Sequence, residues 1–203
     1  LELAGEQIHA MLIDGENTLV SDPNMEHCEH ALRSLDHLVV IDIFLTETAQ
    51  LADVVFPATS WAETDGTFTN TERRIQRVRK AISPPGKARP DWWIIAQIAK
   101  RMGIDGFEFE SAKDVFNELC SLSPIYAGLN WEKIDQGKYH WPVPYEGHPG
   151  TPMLHKDKFR NGRGVFKLIS YRDPAETIND EFPVWLTTGR RLESYHTRTQ
   201  TGR

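Results

Sequence analysis

His37 to Phe44 (HLVVIDIF) form an apolar run that has the length of one β-strand. A run of this kind, in which polar and apolar residues do not alternate, is typical of a parallel strand that is buried on both faces. The run from Ile8 to Ile13 is also apolar, and the turn-forming residues Asp14 to Asn17 follow it. Both runs are therefore predicted to be strands of one sheet.

The segments around these strands alternate between helix and strand. Met25 to Leu35 carries apolar residues at helical spacing, Thr46 to Leu51 has the length of a short helix, and Asp53 to Phe56 is a third strand closed by proline. This alternation predicts an α/β fold with a small parallel sheet and right-handed crossovers. In such sheets ligands bind outside the carboxyl ends of the strands, which here are Gly15 to Asn17 and Asp42 to Ile43.

Two further helices are predicted from the residues at their ends. Trp92 to Met102 repeats apolar residues at helical spacing, and Gly103, which follows, is a residue that commonly ends helices. Ser111 followed by Asp114 resembles a capping box. We therefore expect a second helix that runs to about Cys120.

These elements divide the chain into three predicted regions. Residues 1–122 form an α/β domain, and residues 123–163, which are rich in Pro, Gly, His and aromatic residues, are interpreted as a linker or surface excursion. Residues 164–203 are predicted to begin a second, β-rich domain, with strands at 164–171 and 183–188. Because the chain opens without Met and stops in a polar segment, we expect it to be part of a longer protein, with the second domain incomplete.

The composition limits the classes of function. The chain has 203 residues, a net charge of −6 and 39% hydrophobic residues, which is enough for a globular core. An acidic chain is not expected to be a general nucleic-acid binder, because such binding depends on concentrated Lys and Arg. No apolar run approaches the roughly 20 residues that span a bilayer. Direct insertion into a membrane is therefore not expected.

Cysteine and histidine spacing gives no metal site. Cys28 and Cys120 are far apart and cannot form a CxxC zinc site or a four-cysteine iron–sulfur site. His27 and His30 share one face of a predicted helix, but no thiol or carboxylate completes a metal site there. No metal-binding residue is assigned.

The most basic stretch lies within residues 66–80 (GTFTNTERRIQRVRK), which show no clear period and are interpreted as extended or loop-like. Its arginines are compatible with a patch that steers a substrate or a nucleic acid. A solvated face balanced by the acids Glu63, Asp65 and Glu72 is the preferred interpretation, because the whole chain is acidic.

The first candidates for ligand binding follow the first two strands. Asp42 ends a buried strand at roughly the sequence distance from Gly15 at which dinucleotide folds place the acid that binds a ribose hydroxyl. A carboxylate there also accepts hydrogen bonds from a guanine edge, whereas the simpler alternative is that it caps the following helix. Gly15, Glu16 and Asn17 offer backbone N–H groups to a phosphate or ribose, although the sequence alone favours an ordinary turn.

The strongest binding signal is the segment TTGRR, in which Thr188, Gly189, Arg190 and Arg191 follow an apolar run. Hydroxyls, a glycine and two guanidinium groups suit a pyrophosphate, because Arg donates two parallel hydrogen bonds to phosphate oxygens. The alternative is a solvated turn whose arginines pair with nearby acids.

A long part of the chain resembles the molybdopterin oxidoreductase family and, within it, the formate dehydrogenase catalytic subunit. The resemblance is carried by Asp42 to Gly103 (DIFLTETAQLADVVFPATSWAETDGTFTNTERRIQRVRKAISPPGKARPDWWIIAQIAKRMG). GEN at residues 15–17 and SDP at residues 21–23 look like the family's GEN-P-x-x-S-D-P segment, with Thr18 where proline is common. The closing segment PVWLTTGRRLESYHTRTQTGR is similar to the start of the family's C-terminal dinucleotide-binding domain.

The resemblance implies a bis(molybdopterin guanine dinucleotide) cofactor with molybdenum or tungsten. It also implies an iron–sulfur cluster in an N-terminal domain and a Cys or selenocysteine metal ligand, both outside this chain, so no catalytic residue is assigned here. By position, the residues expected to contact the cofactor are Asn17, Ser21, Ile41, Asp42 and Ala58 and, in the second domain, Arg190, Arg191, Leu192, Ser194, Tyr195 and His196.

The implied activity is oxidation of formate to carbon dioxide in the cytoplasm, with electrons passing to electron-transfer subunits or domains. One alternative is a non-catalytic scaffold like the large subunit of respiratory NADH dehydrogenase. Another is an independent nicotinamide-dependent dehydrogenase. This sequence has no GxGxxG motif, however, and that interpretation leaves the TTGRR segment unexplained. The GTFTNTERR and PDWW segments favour the formate enzyme.

Overall fold

The computed structural model describes residues 1–189, which fall into a unit from Leu1 to Leu154 and a second unit that begins at His155. The helices and strands of the described residues lie in the first unit. In chain order they are β1 (Ala10–Asp14), α1 (Thr18–Ser21), α2 (Met25–Arg33), β2 (His37–Asp42), α3 (Glu47–Leu51), β3 (Val54–Pro57), β4 (Gly66–Thr69), β5 (Ile75–Val78), α4 (Asp91–Arg101), α5 (Ala112–Leu122) and α6 (Trp131–Ile134).

The strands β1, β2 and β3 form a parallel sheet with β2 in the centre, which confirms the predicted α/β fold. The register places Asp14 of β1 opposite Ile41 of β2, and Asp42 of β2 opposite Pro57 of β3. All three strands therefore end at the same side of the sheet. We call this side, formed by the ends of β1, β2 and β3, the carboxyl edge.

The apolar run of β2 is explained by packing on both faces of the sheet. On one face, Val40 belongs to a buried cluster with Cys28 of α2. On the other face, Ile41 packs with Ala58 and with Ile94 of α4. Successive side chains of a strand point to opposite faces, so helices on both sides require apolar residues at every position.

The helices α4 and α5 have eleven residues each, and their ends lie within two residues of the predicted ones. After α4, the N–H of Ile104 donates to the carbonyl of Ala99 around Gly103, whose φ is +75°, as in a Schellman motif. A capping box between Ser111 and Asp114 begins α5. Within the described residues, no helix is long and apolar enough to cross a bilayer.

Residues 66–80 are more regular than the sequence indicated. Strands β4 and β5 pair as an antiparallel hairpin, with Gly66 opposite Val78. At its tip the N–H of Arg74 donates to the side-chain carbonyl of Asn70 at 2.9 Å. The strands have four residues each and do not alternate strictly between buried and exposed positions, so periodicity did not reveal them.

Residues 123–154 belong to the first unit, which differs from the linker expected over residues 123–163. Leu129 and Val143 are buried and belong to one cluster with Ile75 of β5. The apolar and aromatic side chains between the prolines and glycines are sufficient to build this cluster. They lie in turns and in one short helix, so no period marks them.

In the described residues of the second unit, 155–189, there is neither a helix nor a strand beyond an isolated bridge between Phe159 and Gly162. The strands predicted at 164–171 and 183–188 are therefore not formed in this part of the chain. Its side chains are exposed, and an extended segment needs a neighbouring strand and a buried face to be stable.

Candidate functional site

The turn that follows β1 brings its backbone against the centre of the sheet. Gly15 has a φ of +65°, in the region that favours glycine, and its N–H donates to the carbonyl of Ile41 at 2.9 Å. Glu16 accepts a hydrogen bond from the hydroxyl of Ser21, which ties the turn to the end of α1. The turn lies beside the end of β2, and its predicted proximity to Asp42 is confirmed.

The side chain of Asn17 connects this turn to α3. Its amide nitrogen donates to the Glu47 carboxylate at 2.8 Å, and its amide oxygen accepts from the Thr48 hydroxyl at 2.8 Å. The hydrogen bond from Asn17 lowers the pKa of Glu47. Thr48 is fully buried, so these contacts hold the turn in place. Both polar atoms of the Asn17 side chain are therefore engaged within the protein.

Asp42 is buried at the end of β2, with 7% of its surface exposed. Its Oδ1 accepts from the N–H of Phe44 at 3.2 Å, and its backbone carbonyl accepts from the N–H of Ala58 at 3.0 Å. The following helix, α3, is capped by Thr46, whose side chain accepts from the N–H of Ala49. Asp42 thus does not cap α3, and its carboxylate stays at the carboxyl edge.

A segment from far along the chain also reaches the carboxyl edge. Ala58, which follows β3, forms a parallel bridge with Arg89, and the N–H of Arg89 donates to the carbonyl of Pro57 at 3.0 Å. Helix α4 begins two residues later, at Asp91. This pairing brings the carboxylate of Asp91 into the electrostatic range of Asp42.

Three carboxylates interact at this edge. Burial and the negative charges of Asp14 and Asp42 raise the pKa of Asp91 to about 6. Loss of solvent and the charge of Asp42 also raise the pKa of Asp14. Within residues 1–189, no Lys or Arg forms an ion pair with any of the three. The edge is rich in acceptors and suits a ligand that donates hydrogen bonds.

Polar atoms in residues adjoining the edge are left without partners. Oδ1 of Asp91 and Oγ1 of Thr59 are buried and have no hydrogen-bond partner in the described part of the chain. Buried polar atoms in proteins are nearly always paired, so unpaired ones mark a place that a ligand can complete. A nucleotide carries ring N–H groups, hydroxyls and acceptors. The residues present therefore fit the nucleotide end of a dinucleotide cofactor.

The same part of the chain does not offer a metal centre. No group of three or more His, Cys, Asp or Glu residues is placed to bind a metal ion within the described residues. Burial raises the pKa of Cys120 to about 11, and burial and Asp22 raise the pKa of Cys28. Both thiols are therefore protonated at neutral pH, and the thiolate is the form that binds metals.

The other residues expected to contact a cofactor fall into three groups. The side chains of Ile41 and Ala58 belong to a buried cluster. Thr188 and Gly189 are exposed residues of the second unit. The remaining expected contacts lie outside the described residues: Arg190, Arg191, Leu192, Ser194, Tyr195 and His196.

Sequence reasoning missed two of the three carboxylates. Asp14 is the last residue of β1, and its position at a strand end could have identified it. Asp91 is visible in the sequence only as the residue that follows Pro90 at a helix start. Its place at the edge depends on the bridge between Ala58 and Arg89, which joins residues 31 positions apart in the sequence, and no local pattern predicts it.

The arginines of the hairpin are paired within the protein. Arg77 and Arg79 contact the carboxylate of Asp135 at 3.2 Å and 2.6 Å, and Arg74 contacts Glu72 at 2.8 Å. These contacts agree with the interpretation of a charge-balanced face and give no support to a steering patch. Asp135, the main partner, was not among the acids considered from the sequence.

The parallel sheet, its helices and the acceptor-rich carboxyl edge define an α/β protein with an edge suited to a ligand. Residues 2–101, which contain the whole sheet, match the model of the family described as molybdopterin oxidoreductase. The chain belongs to the molybdopterin oxidoreductase family.

Similar proteins include formate dehydrogenase subunits of two organisms. The chain is 50% identical over 206 residues to the F420-dependent formate dehydrogenase subunit alpha of Methanocaldococcus jannaschii, which covers 100% of this chain and 31% of that protein. It is also 50% identical to the F420-dependent formate dehydrogenase 1 subunit alpha of Methanococcus maripaludis, again over 100% of the chain and 31% of the relative. The chain thus spans about a third of the length of these relatives.

A solved structure of the same fold is the acetylene hydratase from Pelobacter acetylenicus. The TM-score is 0.52 at 24% sequence identity, and the match covers 68% of this chain and 18% of the hydratase chain. At this level of identity the likeness concerns the fold alone.

Proposed function

We propose that this chain is part of the catalytic subunit of a formate dehydrogenase-like molybdenum or tungsten oxidoreductase. In this proposal its carboxyl edge holds a guanine end of the bis(molybdopterin guanine dinucleotide) cofactor. The family match and the relatives named as formate dehydrogenase subunits support the enzyme class. When bound, the cofactor supplies the two-electron chemistry that converts formate to carbon dioxide, and the protein supplies position and electrostatics.

The observation that carries this proposal is the unpaired carboxylate of Asp91 beside that of Asp42. Guanine presents an N1–H and an exocyclic amino group on one edge, and a carboxylate accepts from both. Adenine offers an amino group next to a ring acceptor, which a carboxylate repels. An edge without a cation partner therefore favours guanine over adenine.

The other residues of the edge position the base and its sugar. The turn at Gly15 and Glu16 lies at the end of β1 with the N–H of Gly15 bonded to the carbonyl of Ile41, and Asn17 fixes this turn through Glu47 and Thr48. The pyrophosphate is assigned to the TTGRR segment, whose two arginines suit phosphate oxygens. At the edge, the guanidinium of Arg89 donates to the carbonyl of Ala88 and lies over the ring of Trp93. Iron–sulfur clusters and electron-transfer subunits complete the proposed enzyme, which we place in the cytoplasm.

Nucleotide titrations of the 203-residue chain test the base preference. We expect GDP to bind more tightly than IDP, which lacks the exocyclic amino group, and IDP to bind more tightly than ADP. Each hydrogen bond to a charged group contributes about 1.5–3 kcal/mol, so each step is expected to weaken binding roughly 10-fold or more. The measurement is isothermal titration calorimetry with the three nucleotides at one salt concentration.

Matched variants locate this preference at the carboxyl edge. Asp42→Asn and Asp91→Asn each replace an acceptor oxygen with a donor and are expected to remove the advantage of GDP over ADP. The control is Glu118→Gln, which removes an exposed carboxylate on α5 and is expected to leave the three affinities unchanged. Equal affinity for GDP and ADP in the wild-type chain, or an unaltered preference in both edge variants, would show that the proposal is wrong.

The second segment is tested in the parent subunit through cofactor retention. Arg190→Lys keeps the charge but loses the planar fork, and Arg190→Ala loses both. We therefore expect the molybdenum and guanine nucleotide content to fall in Arg190→Lys and to fall further in Arg190→Ala. Arg191 is tested in the same way. Full cofactor content with reduced activity would assign these arginines to chemistry or electron transfer instead. The 203-residue chain alone is expected to show no dye-linked formate oxidation.

A further inference from the structure

Residues 137–152, which we call the strap, are bound to the β4–β5 hairpin by backbone hydrogen bonds. The N–H of Ile75 donates to the carbonyl of Tyr139 at 3.0 Å, and the N–H of Trp141 donates to the carbonyl of Arg73 at 3.1 Å. The strap thus lies alongside the start of β5 in an antiparallel arrangement. It is the last part of the first unit before the second unit begins.

The strap also closes on itself and on the segment before α6. The N–H of Thr151 donates to the carbonyl of His140 at 2.8 Å, which joins the two arms of the strap. Val143 is fully buried, and its N–H donates to the carbonyl of Ile125 at 2.7 Å. A Cβ atom on Gly128 would lie 2.1 Å from the carbonyl oxygen of Tyr145, so only glycine permits this approach.

One side chain joins both arms of the strap to the hairpin. The guanidinium of Arg73 donates from Nη1 to the carbonyl of Trp141 on the first arm and, at 2.9 Å, to the carbonyl of Thr151 on the second. Its Nη2 donates to the carbonyl of Pro152 at 3.0 Å. Within the described residues no carboxylate pairs with Arg73, so its hydrogen bonds are committed to the strap.

The backbone conformation of Arg73 is unfavourable for an arginine, which indicates that its side-chain contacts matter at this position. Its φ is +67°, in the left-handed region that favours glycine and is unfavourable for a long side chain. The hairpin tip would be relaxed with glycine at this position. An arginine there is consistent with a side chain whose contacts offset the backbone strain.

We propose that Arg73 is a latch that holds the strap closed against the hairpin, and that the strap opens locally when the latch is released. The strap packs on the cluster that contains Ile75 and Val143, whereas the sheet has separate clusters around Val40 and Ile41. Opening of the strap therefore leaves the sheet and its carboxyl edge intact.

Hydrogen exchange of backbone amides in the 203-residue chain tests the latch. Arg73→Gly relieves the backbone and removes the three side-chain hydrogen bonds, so we expect the amide of Thr151 to exchange at least ten-fold faster. The amide of Val40 in the sheet is expected to exchange at the wild-type rate. Arg73→Lys keeps the charge but cannot reach both arms with a planar group, so it is expected to accelerate the exchange of Thr151 as well.

The matched control is Arg79→Ala, which removes a hairpin arginine that contacts Asp135 and no residue of the strap. It is expected to leave the exchange of the Thr151 amide unchanged. Wild-type exchange at Thr151 in Arg73→Gly would overturn the proposal. Equal acceleration at Thr151 and Val40 would also overturn it, because Arg73 would then support the whole fold and not a local strap. Neither outcome depends on nucleotide binding.

Discussion

At the carboxyl edge of the sheet, burial and neighbouring negative charge raise the pKa values of Asp14 and Asp91. Within the described residues, no Lys or Arg forms an ion pair with these two carboxylates or with that of Asp42. On the hairpin, Arg77 and Arg79 share the carboxylate of Asp135, and Arg74 contacts Glu72. The hairpin arginines form the most basic stretch of the sequence, yet their charges are paired within the protein. The aspartates of the carboxyl edge are less conspicuous in the sequence, but they are the charged residues left free for a ligand.

Charged groups that stabilise the fold can therefore be distinguished from charged groups that bind a ligand. A charged group whose hydrogen bonds are all made within the protein stabilises the fold, and its removal costs stability. A charged group that is buried and unpaired reduces stability until a ligand completes it, so its removal raises stability and costs binding. Asp91→Asn tests this distinction directly, and substitutions of Ile75 and Ser111 measure the support that uncharged residues give the fold.

The largest effect is expected from Ile75→Ala in the hairpin cluster. Ile75 is 1% exposed and packs with Val143 of the strap, so its truncation leaves a cavity. We expect the free energy of unfolding in urea to fall by about 2–5 kcal/mol. Where the variant remains folded, its preference for GDP over ADP is expected to persist. Loss of that preference with an intact fold would break the comparison, since the hairpin cluster would then be part of the binding site.

A smaller effect of opposite sign is expected from Asp91→Asn. The pKa of Asp91 rises from 3.8 to about 6 on folding, so ionisation opposes folding as the pH rises through this window. The cost is absent below the lower pKa and fully present above the higher one. After allowance for solvent screening, the variant is expected to be about 1–2 kcal/mol more stable than wild type at pH 7 and equal to it near pH 3.5.

Urea unfolding of wild type and Asp91→Asn across this pH range measures the difference. Glu118→Gln, an exposed carboxylate on α5, serves as the control and is expected to show no such change. A variant that is less stable than wild type at pH 7 would mean that Asp91 has a structural partner. The charges of the carboxyl edge would then be paired within the protein, as those of the hairpin are.

The smallest effect is expected from Ser111→Ala at the start of α5. Its hydroxyl caps the helix by accepting from the N–H of Asp114, and loss of such a cap costs about 1 kcal/mol. Thermal unfolding monitored by circular dichroism measures the loss. Ser111→Asn keeps a capping side chain and is expected to retain most of the stability. Equal loss in both variants would indicate that packing around Ser111, and not the cap, supports the helix.

The sequence predicted the sheet because its signals are local. The apolar run of β2 reflects burial on both faces, and the ends of α4 and α5 carry Gly103 and a Ser111 capping box. The hairpin and strap were not predicted, because they depend on contacts between distant residues. Arg73 reaches a segment almost seventy residues away, and no periodicity reports such a contact.

The candidate site was predicted in part for the same reason. Asp42 and the Gly15 turn are adjacent because parallel strands end together, which follows from topology alone. Asp91 joins them only through the bridge between Ala58 and Arg89. Asn17 lies in the turn beside Asp42, as expected. Its side chain was predicted to contact a ligand, but it forms hydrogen bonds to Glu47 and Thr48 of α3.

The uncompensated charge of Asp14, Asp42 and Asp91 also has a kinetic consequence. Phosphorylated ligands carry the same sign of charge as this edge, so the field of the protein slows their approach. Added salt screens this repulsion, with a Debye length of about 10 Å at 0.1 M. Association of a free nucleotide is therefore expected to speed up with ionic strength, the reverse of the behaviour of a nucleic-acid-binding protein.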